Sequence, residues 1–256
     1  SSIISRYIFL NEIEKMSKDL GVKILLGASY DVDEIAKQLK AENLFLIDYN
    51  TDGLNELANK LKANAYVCDV ANPIQVETTF KRIIEDAKTI DVLINCAGVW
   101  SKGELTKQEY EPFKNINTLE RIKQLIDTNT FGIIATIKSV VPFMQKQGGG
   151  QIININSQSG VIVEEFCPIY NASKTGSMAF SRAVLNDLGK HNIKLTDVCP
   201  GLIKTNFYKN AKDPLPESVM ECGLEPTDVA NLVMYVINLP KEITIPCVEI
   251  KNMKNF

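Results

Sequence analysis

Residues 151–176 read QIININSQSGVIVEEFCPIYNASKTG. The stretch opens with Ile152-Ile153-Asn154-Ile155, an apolar run of the kind that makes a strand buried on both faces. A polar turn follows, Asn156-Ser157-Gln158-Ser159-Gly160. After one more apolar patch comes a helical segment carrying Tyr170 and Lys174. Four positions apart, these two side chains stand one above the other on a single helix face. A cation beside a phenol stabilises the phenolate, so Lys174 is expected to lower the Tyr170 pKa toward working pH. That makes Tyr170 a usable proton donor and acceptor. Ser157, presented from the strand end, can donate a hydrogen bond to a carbonyl oxygen as charge develops there. Tyr-x-x-x-Lys alone is common on amphipathic helices, and its weight comes from its surroundings.

Outward from this stretch the chain alternates short apolar runs with helical patterns. The strand-like runs are 22–26, Leu44–Asp48, 65–68, Val92–Asn95, 151–156, 194–198 and 246–250. Helices fit between them, for example at 33–39, 54–61 and 74–87, and Gly148-Gly149-Gly150 breaks the chain before the central strand. Such alternation predicts an α/β fold: a doubly wound, Rossmann-like parallel sheet of about seven strands, with helices on both faces. Ligands of such sheets bind outside the carboxyl ends of the strands, where the winding reverses. The loop after the first strand, with Gly27 and Ser29, is therefore expected to face a dinucleotide pyrophosphate. Asp48, at the end of the second strand about 20 residues on, is expected to accept hydrogen bonds from ribose hydroxyls and to repel a 2′-phosphate, which predicts NAD. Equally, an aspartate there can simply start a turn.

Composition bounds the alternatives. A chain of 256 residues with 45% hydrophobic and 23% charged residues suits a globular α/β domain with a sizeable core. A net charge of −3 gives no basic footprint for nucleic acid. No apolar run is long enough to span a membrane, and Asn11-Glu12 ends the apolar Tyr7–Leu10 too early for a signal peptide. The six cysteines have no C-x-x-C spacing and read as reduced, buried thiols of a cytoplasmic protein, with no metal site. The single histidine, His191, lies in what reads as a surface turn, which leaves no base for a Ser-His-Asp hydrolase. Residues 1–21 are expected to form a helical extension (helix 12–20) ahead of one domain at 22–256.

The quoted stretch resembles the catalytic segment of the short-chain dehydrogenase/reductase family. There a serine stands thirteen positions before the tyrosine of YxxxK, as Ser157 does before Tyr170, while Ser159 has the wrong offset. The small residues of YNASKTG match as well. Asp91–Gly98, DVLINCAG, is similar to the family's NNAG strand end, with Cys96 in place of the second asparagine. The resemblance implies that Asn95, Ala97 and Gly98 lie against the cofactor. It implies that Asp69, followed by Val70, contacts the adenine ring, although Asp69 equally reads as a helix cap. In DTNTFG, Asn129 matches the fourth catalytic residue, whose backbone holds a water that relays protons to Lys174. Lys174 is also implied to hold the nicotinamide ribose. DVCPGLIKT resembles the PG motif flanking the nicotinamide, so Pro200, Gly201 and Thr205 are implied in cofactor binding. The family's glycine pattern TGxxxGxG is incomplete here: Leu26 replaces the threonine, and Asp31 and Asp33 replace the last two glycines.

By that resemblance the chain transfers a hydride between NAD(H) and a small alcohol or carbonyl. It also assembles as a homodimer or homotetramer through the helices carrying Asn129 and Tyr170. Asp31 and Asp33 support an alternative, a non-catalytic relative that kept the fold and lost tight cofactor binding. An epimerase or dehydratase with the same Tyr/Lys pair is expected to need a larger C-terminal domain than this chain offers.

Overall fold

The computed structural model describes the backbone of residues 24–27, and residues 44–100, 119–164, 167–208 and 215–255. The expected N-terminal helix, the loop with Ser29, Asp31 and Asp33, the helix at 33–39 and the polar segment 101–117 lie outside the described residues.

Among the described residues seven strands form one sheet: β1 (Ile24–Gly27), β2 (Leu44–Asp48), β3 (Asn64–Val67), β4 (Val92–Asn95), β5 (Gly150–Ile155), β6 (Ile193–Pro200) and β7 (Cys247–Ile250). Their order is β3-β2-β1-β4-β5-β6-β7, and every neighbouring pair is parallel. The winding reverses between β1 and β4, so the ligand crevice of such a sheet opens at their carboxyl ends.

Strand residues divide between two cores. Leu44 and Leu46 of β2 pack into one, with Val92 and Ile94 of β4 and with helix residues Leu54, Leu57 and Val233. Phe45 and Ile47 of the same strand pack into the other, with Phe80, Ile83, Ile133, Ile137 and Leu188. Successive strand residues point to opposite faces, so two cores filled from alternate positions require helices on both.

Local capping sets the helix starts. Helix α1 (Thr51–Leu61) begins ahead of the expected Leu54 because the Asn50 side chain accepts a hydrogen bond from the Gly53 N–H at 3.2 Å. Helix α2 (Pro73–Ala87) has Asn72 as its cap and a proline at its first turn. Helix α3 (Leu119–Ile126) runs into a π-helical turn, Asp127–Phe131, and then into α4 (Gly132–Gln147). Helix α5 (Pro168–Gly189) follows β5, and a short α6 (Glu217–Met220) and α7 (Pro226–Ile237) precede β7. Thr227, the second residue of α7, does not cap it. The cap is instead Glu225, whose N–H donates to the Asp228 carboxylate at 2.9 Å, with Pro226 filling the first helical position.

The glycine break before β5 has a steric cause. Gly149 has φ +153, and a Cβ there would lie 2.8 Å from the Asn192 carbonyl oxygen. Gly149→Ala should therefore cost about 1–3 kcal/mol and lower the melting temperature by several degrees in thermal denaturation, with the site untouched.

All six cysteines are free thiols, and Cys68, Cys96, Cys167 and Cys199 are buried. His191 is exposed in the turn after α5. Among the described residues no helix is long and apolar enough to cross a membrane. Nor, among them, do three or more His, Cys, Asp or Glu side chains gather to hold a metal ion.

Candidate active site

Ser157 follows β5 in extended backbone and caps the 3₁₀ turn Gln158–Gly160, its Oγ accepting from the Ser159 N–H at 3.1 Å. Its side chain is hydrogen-bonded to Tyr170 on the first turn of α5. The competing serine is occupied elsewhere: the Ser159 hydroxyl donates to the Glu164 carboxylate. Lys174, one turn beyond Tyr170, has its Nζ 5.8 Å from the centre of the Tyr170 ring and donates to the Ile155 carbonyl at 3.3 Å. Tyr170 is 6% exposed and Lys174 3%.

Burial corrects one expectation. The Tyr170 phenol is pushed well above its ordinary range, by desolvation first and the neighbouring Tyr208 second, with the Ser157 hydrogen bond opposing. Lys174 is lowered to about 8, again by desolvation, with Cys199, Asp197 and Cys96 opposing. Low-dielectric surroundings penalise the charged form of both groups, so this outweighs the expected lowering of the phenol by the lysine.

Asn129 is fully buried within the π-helical turn, not in an ordinary α-helix. Its Oδ1 accepts from the Val99 N–H at 2.8 Å. Its Nδ2 donates to the Val99 carbonyl at 2.9 Å and to the Ser173 hydroxyl at 3.0 Å. One side chain thus pins the segment after β4 to the helix that carries Tyr170 and Lys174. Inserted π turns recur at functional sites.

A cleft of about 400 Å³ runs along the carboxyl ends of β2, β3 and β4 and contains Asp48, Asp69, Val70, Ala97 and Gly98 in its lining. One Asp48 oxygen accepts from the Asn50 N–H at 2.8 Å, so the carboxylate closes a turn and also faces the cleft. Its pKa is raised, burial outweighing the backbone hydrogen bonds from Asn50 and Tyr49. Asp69 likewise closes a turn, accepting from the Ala71 N–H at 2.9 Å, while Asn72 caps the helix. Gly98 lies at ordinary contact distance from the site residues. A Cβ there would lie 3.5 Å from Asn129 Oδ1, 3.7 Å from Lys174 Nζ and 3.9 Å from the Phe207 ring.

Asn95, Tyr170, Lys174, Pro200, Gly201 and Thr205, all expected at the cofactor, stand apart from the cleft lining. Asn95 is buried behind it, donating to Asn154 at 2.8 Å and accepting from Thr136 at 2.8 Å. Pro200 is buried at the end of β6, and the Gly201 N–H is committed to the Ile250 carbonyl at 2.9 Å. The Thr205 hydroxyl accepts from the Phe207 N–H at 3.2 Å, shaping the turn that presents Phe207. The described Gly27 ends β1 beside Asn95 of β4.

Sequence reasoning passed over Lys60, Trp100, Arg121 and Phe207, which all line the cleft. Arg121 donates to the Trp100 carbonyl at 2.8 Å. Trp100 packs edge-on against Tyr208 at 5.1 Å, and Phe207 lies 6.5 Å from Tyr170. Large aromatic residues in otherwise polar segments just past strand ends were the available signal.

Asp48 and Gly98 in the cleft lining, with the buried Lys174 near Gly98, are residues that could hold a dinucleotide. A family model described as short chain dehydrogenase matches residues 32–215. A human 3-oxoacyl-(acyl-carrier-protein) reductase is 28% identical over 223 residues, spanning 84% of this chain and 90% of that protein. A 3-ketoacyl-(acyl-carrier-protein) reductase from Brucella melitensis, complexed with NADH, superposes with a TM-score of 0.77 at 18% identity, over 92% of this chain and 99% of that one. An alcohol dehydrogenase from Thermococcus sibiricus, complexed with 5-hydroxy-NADP, gives 0.75 at 18% identity, over 91% and 97%. At such identities the solved structures speak for the fold alone. The family match covers most of the chain, including the strand ends and the Tyr170 helix, and the chain belongs to the short chain dehydrogenase family of oxidoreductases.

Proposed function

We propose that the protein transfers a hydride between NAD(H) and an alcohol or carbonyl substrate, acting as a reductase. The observation that carries this reading is that Lys174 and Asn129 lie against Gly98, and Tyr170, bonded to Ser157, lies near Phe207, while Gly98 and Phe207 line a cleft that also holds Asp48. The nicotinamide, when bound, supplies or accepts the hydride. Asp48 takes the adenosine ribose hydroxyls, Gly98 lets the backbone lie close, and Lys174 holds the second ribose. Tyr170 and Ser157 hydrogen-bond the substrate oxygen, and Tyr170 gives it a proton. The raised pKa keeps Tyr170 protonated, the form a reductase needs. Asn129 lies where, by family likeness, its backbone feeds protons toward Lys174.

The test is the loss of NADH absorbance while a panel of carbonyls is offered. The human relative's name makes a 3-oxoacyl thioester one member. Turnover of any of them supports the reading. No turnover, with no NADH binding by calorimetry, favours the non-catalytic alternative to which Asp31 and Asp33 point. Self-association through the helices carrying Asn129 and Tyr170 is part of the same proposal, and the 37% exposed Phe143 on α4 suits it.

Cofactor choice gives a sharper expectation. A carboxylate facing the ribose repels a 2′-phosphate, so the parent should prefer NADH. Asp48→Ala removes the repulsion and leaves Lys60 on the same cleft wall. The kcat/KM preference for NADH over NADPH should narrow by roughly tenfold or more, the scale of one such charge contact. A parent that already prefers NADPH would overturn the assignment.

A further inference from the structure

On the sheet face covered by α4 and α5, one row of side chains breaks the apolar pattern. Leu93, Ile152 and Leu195 stand side by side on β4, β5 and β6, and all three are buried. Two residues further along the same strands stand Asn95, Asn154 and Asp197, again side by side and again buried. Apolar residues of similar volume would fill such a row at less cost than buried polar ones.

Hydrogen bonds run through the row in one direction. The Thr136 hydroxyl donates to Asn95 Oδ1 at 2.8 Å, and Asn95 Nδ2 donates to Asn154 Oδ1 at 2.8 Å. Asn154 Nδ2 donates to Asp197 Oδ1 at 3.1 Å. The Ser181 hydroxyl of α5 reaches the same oxygen at 3.2 Å, and Asn156 also hydrogen-bonds the carboxyl. Amide donors converging in this way stabilise a carboxylate against the burial that opposes its charge. The row also connects to the catalytic groups. Asn156, the residue before Ser157, donates through Nδ2 to the Ser177 hydroxyl at 3.1 Å. Ser177 donates in turn to the Lys174 carbonyl at 2.9 Å.

Resting on the function proposed above, we infer that Asp197 is a positioning residue of the active site. It ties the strand end bearing Ser157 to the helix bearing Tyr170 and Lys174, and holds a negative charge behind the Lys174 ammonium. Among the described residues, the titratable groups facing Lys174 are Tyr170 on its own helix, Cys96 beyond β4, and Asp197 and Cys199 on β6. Tyr170 and Cys199 are both pushed up by burial and stay neutral at working pH. That leaves Asp197 as the carboxylate in the set. Its pKa is raised by burial and lowered by Asn154, Ser181, Asn156 and Lys174.

The experiment compares the parent with Asp197→Asn, which keeps the shape and removes the charge. Protein labelled with carbon-13 at the lysine ε-carbons is titrated by NMR, the Lys174 signal being the one missing from Lys174→Met. In the parent it should titrate near the value of about 8 set by burial. In Asp197→Asn it should titrate roughly one unit lower, the scale of one charge several ångströms away at an effective dielectric near 20. The pH at which NADH-linked turnover is lost should fall by the same amount. An unmoved Lys174 titration and an unmoved pH profile would overturn the inference, even if activity drops, because a packing role moves neither. If Asp197→Asn does not fold, linkage allows the reverse reading: Lys174→Met should raise the titration of the Asp197 carboxyl, and no rise there overturns the inference. The titrations need no substrate. A shifted Lys174 without turnover on any carbonyl would therefore sink the proposed reaction and leave this coupling standing.

Discussion

Tyr170→Phe should lower turnover by at least ~100-fold, the usual scale of a lost general acid. The ring is 6% exposed and packs with Trp100, Leu125 and Cys167, contacts that phenylalanine keeps. The change removes the hydroxyl and its hydrogen bond with Ser157. Ser157 is half-buried, so water can take up the lost bond, and stability should change by about 1 kcal/mol or less. The check is steady-state reduction of a carbonyl with NADH, beside a thermal melt of each protein. A variant as fast as the parent would remove Tyr170 from the mechanism. A variant that has lost both activity and fold would leave only a packing role.

Lys174→Met should abolish measurable turnover and, at neutral pH, make the fold more stable. The lysine is buried, and its pKa of about 8 lies below the ordinary lysine value of 10.5. The folded state therefore binds fewer protons than the unfolded state between those two values, and the stability of the parent rises with pH across that window. Below about 8 the cost of keeping the ammonium buried is fully present, roughly 3 kcal/mol at 1.36 kcal/mol per unit. Methionine carries no such cost. It does give up the hydrogen bond to the Ile155 carbonyl, worth roughly 1–2 kcal/mol to leave unmade. The net gain should be about 1–2 kcal/mol, a rise of several degrees in melting temperature at pH 7. That advantage should shrink as the pH climbs through the window from about 8 to 10.5. Chemical denaturation of both proteins across that range is the measurement. A methionine variant less stable than the parent at pH 7 would mean that the lysine is well paired when folded.

Several features were legible from local pattern. A run such as Leu44–Asp48 is apolar at successive positions because both faces of a parallel strand are covered, so its place and limits can be read without the fold. Tyr170 and Lys174 share a helix face by spacing alone. The choice of Ser157 over Ser159 came from the family's offset, and in the structure the Ser159 hydroxyl donates to Glu164. Asp48 was read both as a ribose acceptor and as a turn former, and its geometry suits both.

What the chain alone determined was the alternation of strand and helix and the helix face that Tyr170 and Lys174 share. Each follows from periods of two or 3.6 residues and from caps and turns, which act over a few neighbours. What only the tertiary structure decided depends on groups distant in sequence. Asn129 is pinned between Val99 and Ser173, Phe207 reaches the floor beside Gly98, and Asn95, Asn154 and Asp197 line up across three strands. The protonation of Tyr170 and Lys174 belongs here too. Spacing predicted that the cation would lower the phenol, but desolvation is a property of everything packed around a group. It is set only when strands and helices from the whole chain have closed over it.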